Sequence, residues 1–306
     1  MDAQRLRVLR EFADRGSVSA TAAALGCTSS AVSQQLQALQ REAGLPLVVR
    51  SGRRLVLTEA GRALAGAAVA VVAALEGADA VLADFREGQA VTLHAAFFPS
   101  GAEMLLPGTL RWLAEHAPGV RLESHLEEPT VWQNFERLTA DYDLVVAHSA
   151  FEPHVWSDAV VARRLVREPL DLAVPLDHPL AAQESVTVEE AAGYPWIGVP
   201  DDYPFHTVLA RIEERAGRAL PIVQRFPDLR TIEALITQGL GIGLLSRFTA
   251  QQGHGRQFLL KPLRDVDSAR TLAVLTRPER TESRGVQRVV EALLAVSATL
   301  SAGPRA

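Results

Sequence analysis

Apolar positions near the N-terminus recur at helical spacing and then break at glycines. Leu6, Leu9, Phe12 and Ala13 share one helical face, and Gly16 supplies a left-handed stop. Ser17 can cap a second helix from Val18 to Leu25, with Ala22 and Leu25 turned inward, and Gly26 ends it. Thr28 can cap a third, whose Val32, Leu36 and Leu39 face the core at i, i+4 and i+7. Its opposite face carries Ser30, Ser33, Gln34 and Gln37 at helical spacing, with hardly a charge. A solvated helix face usually favours Glu and Lys. Short hydroxyl and amide side chains suit close approach to another polar surface, and two helices joined by a Gly-containing turn form a helix-turn-helix.

Two β-rich runs follow, Leu47 to Val49 and Leu55 to Leu57, around the basic tip Arg50-Ser51-Gly52-Arg53-Arg54. That pattern predicts a hairpin, a wing. Arg50, Arg53 and Arg54 can meet phosphates beside the groove that a recognition helix enters. Thr28, Ser29, Ser30, Ser33, Gln34 and Gln37 suit base edges and phosphate oxygens, and Gln can bond adenine bidentately. Thr58 caps the next helix. Leu64, Ala68, Val71, Leu75, Ala78, Leu82 and Phe85 then alternate steps of four and three, the spacing of a coiled-coil seam. Helical from Glu59 to Arg86, this segment would span ~42 Å. It reads as a dimerisation helix, with a buried Ala-rich core helix as the alternative.

From Ala90 the pattern changes to alternating strands and helices. Strands are predicted at Val91–Ala96, Val120–Leu126 and Asp143–Ala147, with helices at Ser100–Ala117 and Thr130–Ala140; Pro107 would kink the first helix or reset its start. This order implies parallel pairing with right-handed crossovers. Further runs lie at Ala159–Arg167, Leu170–Val174, Trp196–Val199, Ile222–Phe226, Ile242–Leu245 and Thr271–Leu275. Helices are predicted from Thr207 to Ala216 and up to Gln238, and Thr187-Val-Glu-Glu190 is a capping box. Two α/β lobes of about a hundred residues each fit this count.

Charge sharpens the picture. Residues 1–66 hold nine arginines against five acids, so with a net charge of −5 for the chain the head carries +4 and the remainder −9. A basic head on an acidic body fits one end meeting a polyanion. Cys27 is the only cysteine, which excludes an intramolecular disulfide and a thiolate metal cluster within one chain. No basic-then-apolar leader opens the sequence, and the longest apolar run, Ala63 to Leu75, falls short of the ~20 residues that span a membrane. A cytoplasmic protein without a membrane partner is expected.

The chemical motifs are sparse. Gly239-Leu-Gly-Ile-Gly243 follows a predicted helix and precedes a strand, the reverse of the dinucleotide fingerprint. The eight histidines form no HxxxH or HExxH pair, and there is no Gly-x-Ser-x-Gly elbow. No catalytic residue, metal ligand or cofactor is assigned.

The block GSVSATAAALGCTSSAVSQQLQALQREAGLPLVVRSGRRLVLTEAG resembles the LysR-type transcriptional regulators, as do the later MLLPGTLRWLAEHAPGV, LAVPLDHPLA and EALITQGLGIGLLSR segments. The resemblance implies a winged helix-turn-helix (1–58), a linker and dimerisation helix (59–88) and a periplasmic-binding-protein-like effector domain (89–306). Lobe I would take about 89–160 and 267–306, and lobe II about 161–266. It further implies double-stranded operator DNA as a partner, a small-molecule effector, and self-association as a dimer or tetramer. The chain departs from the family in lacking basic residues over Gln34 to Ala38 and Gln-Pro at Ser29-Ser30, so phosphate binding leans on the wing arginines and Arg41.

Ligands of two-lobed α/β domains lie beyond the carboxyl ends of the strands, between the lobes. Phe98, Ser100, Thr130, His148, Pro200, Phe205 and His206 are the candidates there. Ser100 and Thr130 open predicted helices, whose N–H groups favour an anion; the alternative makes them simple caps and the aromatics core. An effector with an anionic or polar head and an apolar body is expected. A small-molecule-binding α/β enzyme or a solute-binding protein remains the alternative class, since fold alone does not choose.

Overall fold

The computed structural model describes residues 1–52, 54–84, 90–127, 134–150, 156–201, 203, 205–250 and 257–302. It opens on α1 (Ala3–Arg15), α2 (Val18–Ala24) and α3 (Ser29–Ala43). Both expected caps form. Ser17 Oγ accepts from the Ala20 amide at 3.1 Å, and Thr28 Oγ1 from the Ala31 amide at 3.2 Å; a cap of this kind contributes about 1 kcal/mol. Val32, Leu36 and Leu39 are buried with Leu9 and Phe12. The wing is the antiparallel pair β1 (Val48–Ser51) and β2 (Arg54–Leu57). Gln40 Oε1 accepts the Leu47 and Val48 amides at 2.9 and 3.0 Å, which fixes the wing against α3.

The linker helix α4 spans Glu59–Asp84. Thr58 Oγ1 accepts the Gly61 amide at 3.0 Å and donates to the Pro46 carbonyl at 2.8 Å. A Cβ at residue 61 would stand 2.0 Å from the Leu47 carbonyl oxygen, so this close approach of helix to wing requires glycine. α4 packs on α1 and on the turn Pro278–Arg280, burying Ala65, Ala68 and Val72. The predicted seam is therefore split. Ala68 turns into its own chain, while Val71 and Leu75 stay 42% and 47% exposed. The side chain of Leu82 and all of Phe85 lie outside the described residues.

The C-terminal domain begins with β3 (Val91–Phe97), α5 (Pro99–His116), β4 (Val120–Leu126), α6 (Asn134–Leu138) and β5 (Leu144–Ser149). β3 lies parallel to both β4 and β5, as the alternation predicts. α5 runs on through Pro107. Only Asn134–Leu138 of the helix predicted from Thr130 is observed, and Thr130 and Trp132 lie outside the described residues.

The next strand, β6 (Val161–Pro175), joins two runs that the pattern separates at Glu168-Pro169. After it come α7 (Val188–Ala191), β7 (Trp196–Gly198), α8 (His206–Ala216), β8 (Ile222–Arg225), α9 (Leu229–Thr237), β9 (Gly243–Ser246), β10 (Phe258–Lys261), β11 (Ala269–Thr276) and α10 (Arg284–Ala302). The capping box at Thr187 and Glu190 forms in both directions. β10 and α10 go beyond the sequence expectation.

β6 is one strand because it changes partners at the proline. Val161 to Pro169 pair antiparallel with β11, and Leu170 to Pro175 pair with β9 and β10. Pro169 lacks the N–H that a ladder would need, and it stands where the ladder changes partners. One apolar cluster gathers β3, α5, β5 and α10; a second gathers β7, α8, α9 and β9. These are the cores of lobes I and II, and β6 with β11 forms the hinge between them. No helix among the described residues is long and apolar enough to cross a membrane.

Candidate DNA interface and effector cleft

The N-terminal head carries a groove of about 890 Å³. One wall is the α3 face Ser29, Ser33, Gln37 and Gln40, and the opposite wall is the wing with Arg50 and Arg54; Arg15 and Ser17 close the end. Ser29, Gln37, Arg50 and Arg54 are exposed, and Ser33 is half-buried with its hydroxyl donated to the Ser29 carbonyl at 2.9 Å. Thr28, Ser30 and Gln34 are exposed too but do not line the groove; Thr28 Oγ1 and Ser30 Oγ lie 2.9 Å apart. The helical step explains the split, since 29, 33 and 37 stack along one face while 30 and 34 lie a step round the helix. Arg53 lies outside the described residues.

Between the lobes, among the described residues, the candidate aromatic side chains pack against one another. Phe98, His148 and Phe205 are each at most 2% exposed. His148 meets Phe98 edge-on at 4.5 Å and Phe135 at 5.3 Å. The guanidinium of Arg270 lies between two aromatic rings, 4.7 Å from Phe98 of lobe I and 4.6 Å from Phe205 of lobe II. Its Nε donates to Glu168, its register partner across the hinge strands, and Glu168 also accepts from Ser246 of β9. Nη2 donates to Ser100 Oγ at 2.9 Å. A polar chain thus runs from lobe I through the hinge into lobe II: Ser100, Arg270, Glu168, Ser246. Both charged members are buried, which is tolerated only when charges are paired and hydrogen-bonded.

Ser100 is accordingly not a helix cap. Phe98 occupies the cap position and supplies no side-chain acceptor, so the Ser100 hydroxyl is turned to the cleft. A Cβ on Gly101 would approach the Phe98 ring to 2.6 Å; glycine lets the ring lie over the start of α5. Pro200 and His206 take other partners. The Pro200 carbonyl accepts the Tyr203 amide at 2.9 Å, and His206 Nε2 lies 3.3 Å from Asp201, which also pairs with Arg225. A second link joins the lobes, with Arg230 of α9 bonded to Glu103 of α5 and, at 2.9 Å, to Glu233. Burial pushes the Glu233 carboxyl up, and Arg230 opposes it.

The two sites coincide with two known domains. Residues 3–62 match the bacterial regulatory helix-turn-helix protein family of lysR type, and residues 86–298 match the LysR substrate binding domain. The chain belongs to the LysR family of transcriptional regulators. It is 25% identical over 296 residues to a probable RuBisCO transcriptional regulator of Cyanophora paradoxa, covering 95% of this chain and 90% of that one. It is 30% identical over 246 residues to a probable hydrogen peroxide-inducible genes activator of Mycobacterium avium, covering 78% and 76%. The full-length regulator LysG of Corynebacterium glutamicum, solved with bound effector Arg, shares the fold with a TM-score of 0.61 at 23% identity, over 98% of this chain and 99% of that one. The relatives are regulators of transcription, which removes the enzyme alternative.

Three charged residues of this LysR-family regulator escaped the sequence reading: Arg15 at the groove, and Arg270 with Glu168 at the hinge. Arg270 had a signal available. It is a single charge inside the run Ala269 to Leu275, where an unpaired cation would not be buried. Its partner lies 102 residues away, and nothing local names it.

Proposed function

We propose that Ser29, Ser33 and Gln37 enter the major groove of operator DNA while Arg50 and Arg54 hold the flanking phosphates. The observation that carries this is the groove itself, with an uncharged hydroxyl and amide wall facing an arginine wall. Base edges call for the first and the phosphate backbone for the second. Thr28, Ser30 and Gln34 are exposed one step round α3 from this wall, and Arg53 joins the phosphate contacts in this reading. Two heads at fixed separation suit a two-fold operator, and the open α4 face around Val71 and Leu75 offers the dimer contact.

The effector enters between the lobes, with an anionic head on Arg270 and Ser100 and an apolar body among Phe98, Phe205 and His148. A carboxylate there shares the guanidinium with Glu168, and the uncapped first turn of α5 adds N–H donors. The aromatic rings must part to admit it, so binding and lobe movement are coupled. LysG, solved with bound effector Arg, supports a small-molecule effector for a regulator of this fold. Cys27, the only cysteine, is exposed in the helix-turn-helix turn, so an intramolecular disulfide is not the input.

Fluorescence-anisotropy titration of the gene's own upstream DNA tests both halves, with and without pooled metabolites. Ser33→Ala and Gln37→Ala relax sequence preference, whereas Arg50→Ala and Arg54→Ala weaken every sequence alike and lower the salt slope by ~1 each. Ser100→Ala keeps basal binding and loses the metabolite response. Full operator selectivity in the Ser33 and Gln37 variants refutes the groove assignment, and an unchanged metabolite response in Ser100→Ala refutes the cleft.

A further inference from the structure

Arg15 ends α1 and closes one end of the DNA-facing groove, yet lobe I holds its guanidinium. Nη1 donates to Asp141 Oδ1 and Nη2 to the Ala140 carbonyl, each at 2.8 Å, while Nε donates to Glu11 at 3.0 Å. Ala140 and Asp141 lie in the turn between α6 and β5. A second arginine works in the opposite direction. Arg277, just past β11, donates to Glu11 of α1 at 3.0 Å and to Asp14 at 2.6 Å. Glu11 is shared by Arg15 and Arg277, so the two contacts form one network between head and lobe I. Arg10 lies 3.3 Å from Asp14 and joins it.

We infer that this network is a clasp in which lobe I competes with DNA for Arg15, and that Arg15, once released, is a phosphate ligand of the head. The inference rests on the DNA-binding reading above. The two halves differ in burial. The side chains of Arg277 and Glu11 are 9% and 13% exposed, and Arg15 is 16% exposed, but its partner Asp141 is 57% exposed. The buried pair docks the head, and the Arg15–Asp141 pair, open to solvent on its Asp141 side, is the exchangeable one. A DNA phosphate replaces the Asp141 carboxylate like for like, since both accept from a guanidinium fork. The split between the basic head and the acidic body has the sign such competition needs.

The clasp is tied to the cleft through two elements. β11 carries Arg270 between Phe98 and Phe205, and Arg277 follows its other end. α6 carries Phe135 against His148, and Ala140 and Asp141 follow it. A ligand that parts the aromatic rings therefore acts on the two segments that grip α1. Its leverage is bounded by its difference in affinity for the clasped and open states.

The test uses the full-length protein and a fluorescein-labelled duplex of random sequence across a salt titration. Asp141→Asn keeps the side-chain shape and removes the competing charge. It is expected to bind the duplex about 3- to 10-fold tighter, with a salt slope steeper by about one. Arg15→Gln binds more weakly than wild type, and adding Asp141→Asn to it restores nothing. In parallel, a dye on the single, exposed Cys27 reports the head's own tumbling; its anisotropy is expected to fall in Asp141→Asn/Arg277→Gln. A wild-type-like Asp141→Asn overturns the clasp, and so does an equal gain in the Arg15→Gln background, which marks a general charge effect. An unchanged anisotropy in the double variant overturns the docking. Failure of wild type to bind duplex with any salt dependence instead overturns the DNA-binding reading.

Discussion

Replacing Arg270 with methionine tests the hinge most directly. The Arg270 and Glu168 side chains are 2% and 0% exposed, and each holds the other's charge in place. Methionine refills the space between Phe98 and Phe205 and keeps a favourable sulfur–aromatic contact, so the loss is electrostatic rather than a cavity. What it leaves is a carboxylate buried with Ser246 as its remaining partner among the described side chains. Removing one member of a buried pair costs about 3–5 kcal/mol, whereas replacing both by apolar residues of similar volume is often neutral or stabilising. Arg270→Met is therefore expected to lose about 3–5 kcal/mol, and Arg270→Met/Glu168→Met to recover most of it. Urea unfolding followed by tryptophan emission reads both, since Trp196 is fully buried in the lobe II core, and the loss is the midpoint shift multiplied by the urea slope. A single variant that loses less than ~1 kcal/mol, or a double variant no more stable than the single, refutes the view that the pair's value lies in mutual compensation.

Two further outcomes follow from the structure. Leu75→Glu puts a charge on the open α4 face beside Val71 and should abolish the self-association proposed above, read as a monomer in sedimentation velocity; a variant that still self-associates refutes the α4 contact. Asp228 caps α9, accepting from the Thr231 hydroxyl at 2.6 Å and the Thr231 amide at 2.9 Å, and these bonds, the hydroxyl's first, hold its carboxyl below the usual value. A depressed folded-state value means stability that is present above the unfolded value and lost as pH falls through the lowered one. Asp228→Ala should thus cost up to about 1 kcal/mol at neutral pH, and the difference from wild type should vanish in acid; a gap that persists there contradicts the cap.

The sequence by itself determined what is decided within a turn or two of chain. Ser17, Thr28, Thr58 and the Thr187–Glu190 box cap the helices expected of them, because a cap needs only a hydroxyl or carboxylate within three residues of a free N–H. Val32, Leu36 and Leu39 point inward because helical spacing leaves them no other common face. The tertiary structure decided everything that depends on which distant surface arrives. Ala68 belongs to the predicted seam by spacing, yet α1 and the Pro278–Arg280 turn cover it, so the free face of α4 narrows to Val71, Leu75 and their neighbours. Ser100 looks like a cap by position, but Arg270 arrives from 170 residues away and takes its hydroxyl. Arg15 reads as one more basic residue of the head until Asp141 is brought to it across 126 residues. Helical periodicity and capping are local hydrogen-bond geometry and can be read from one stretch of chain. Pairing of buried charges depends on the crossover topology that sets β6 beside β11, and no short stretch of sequence contains it.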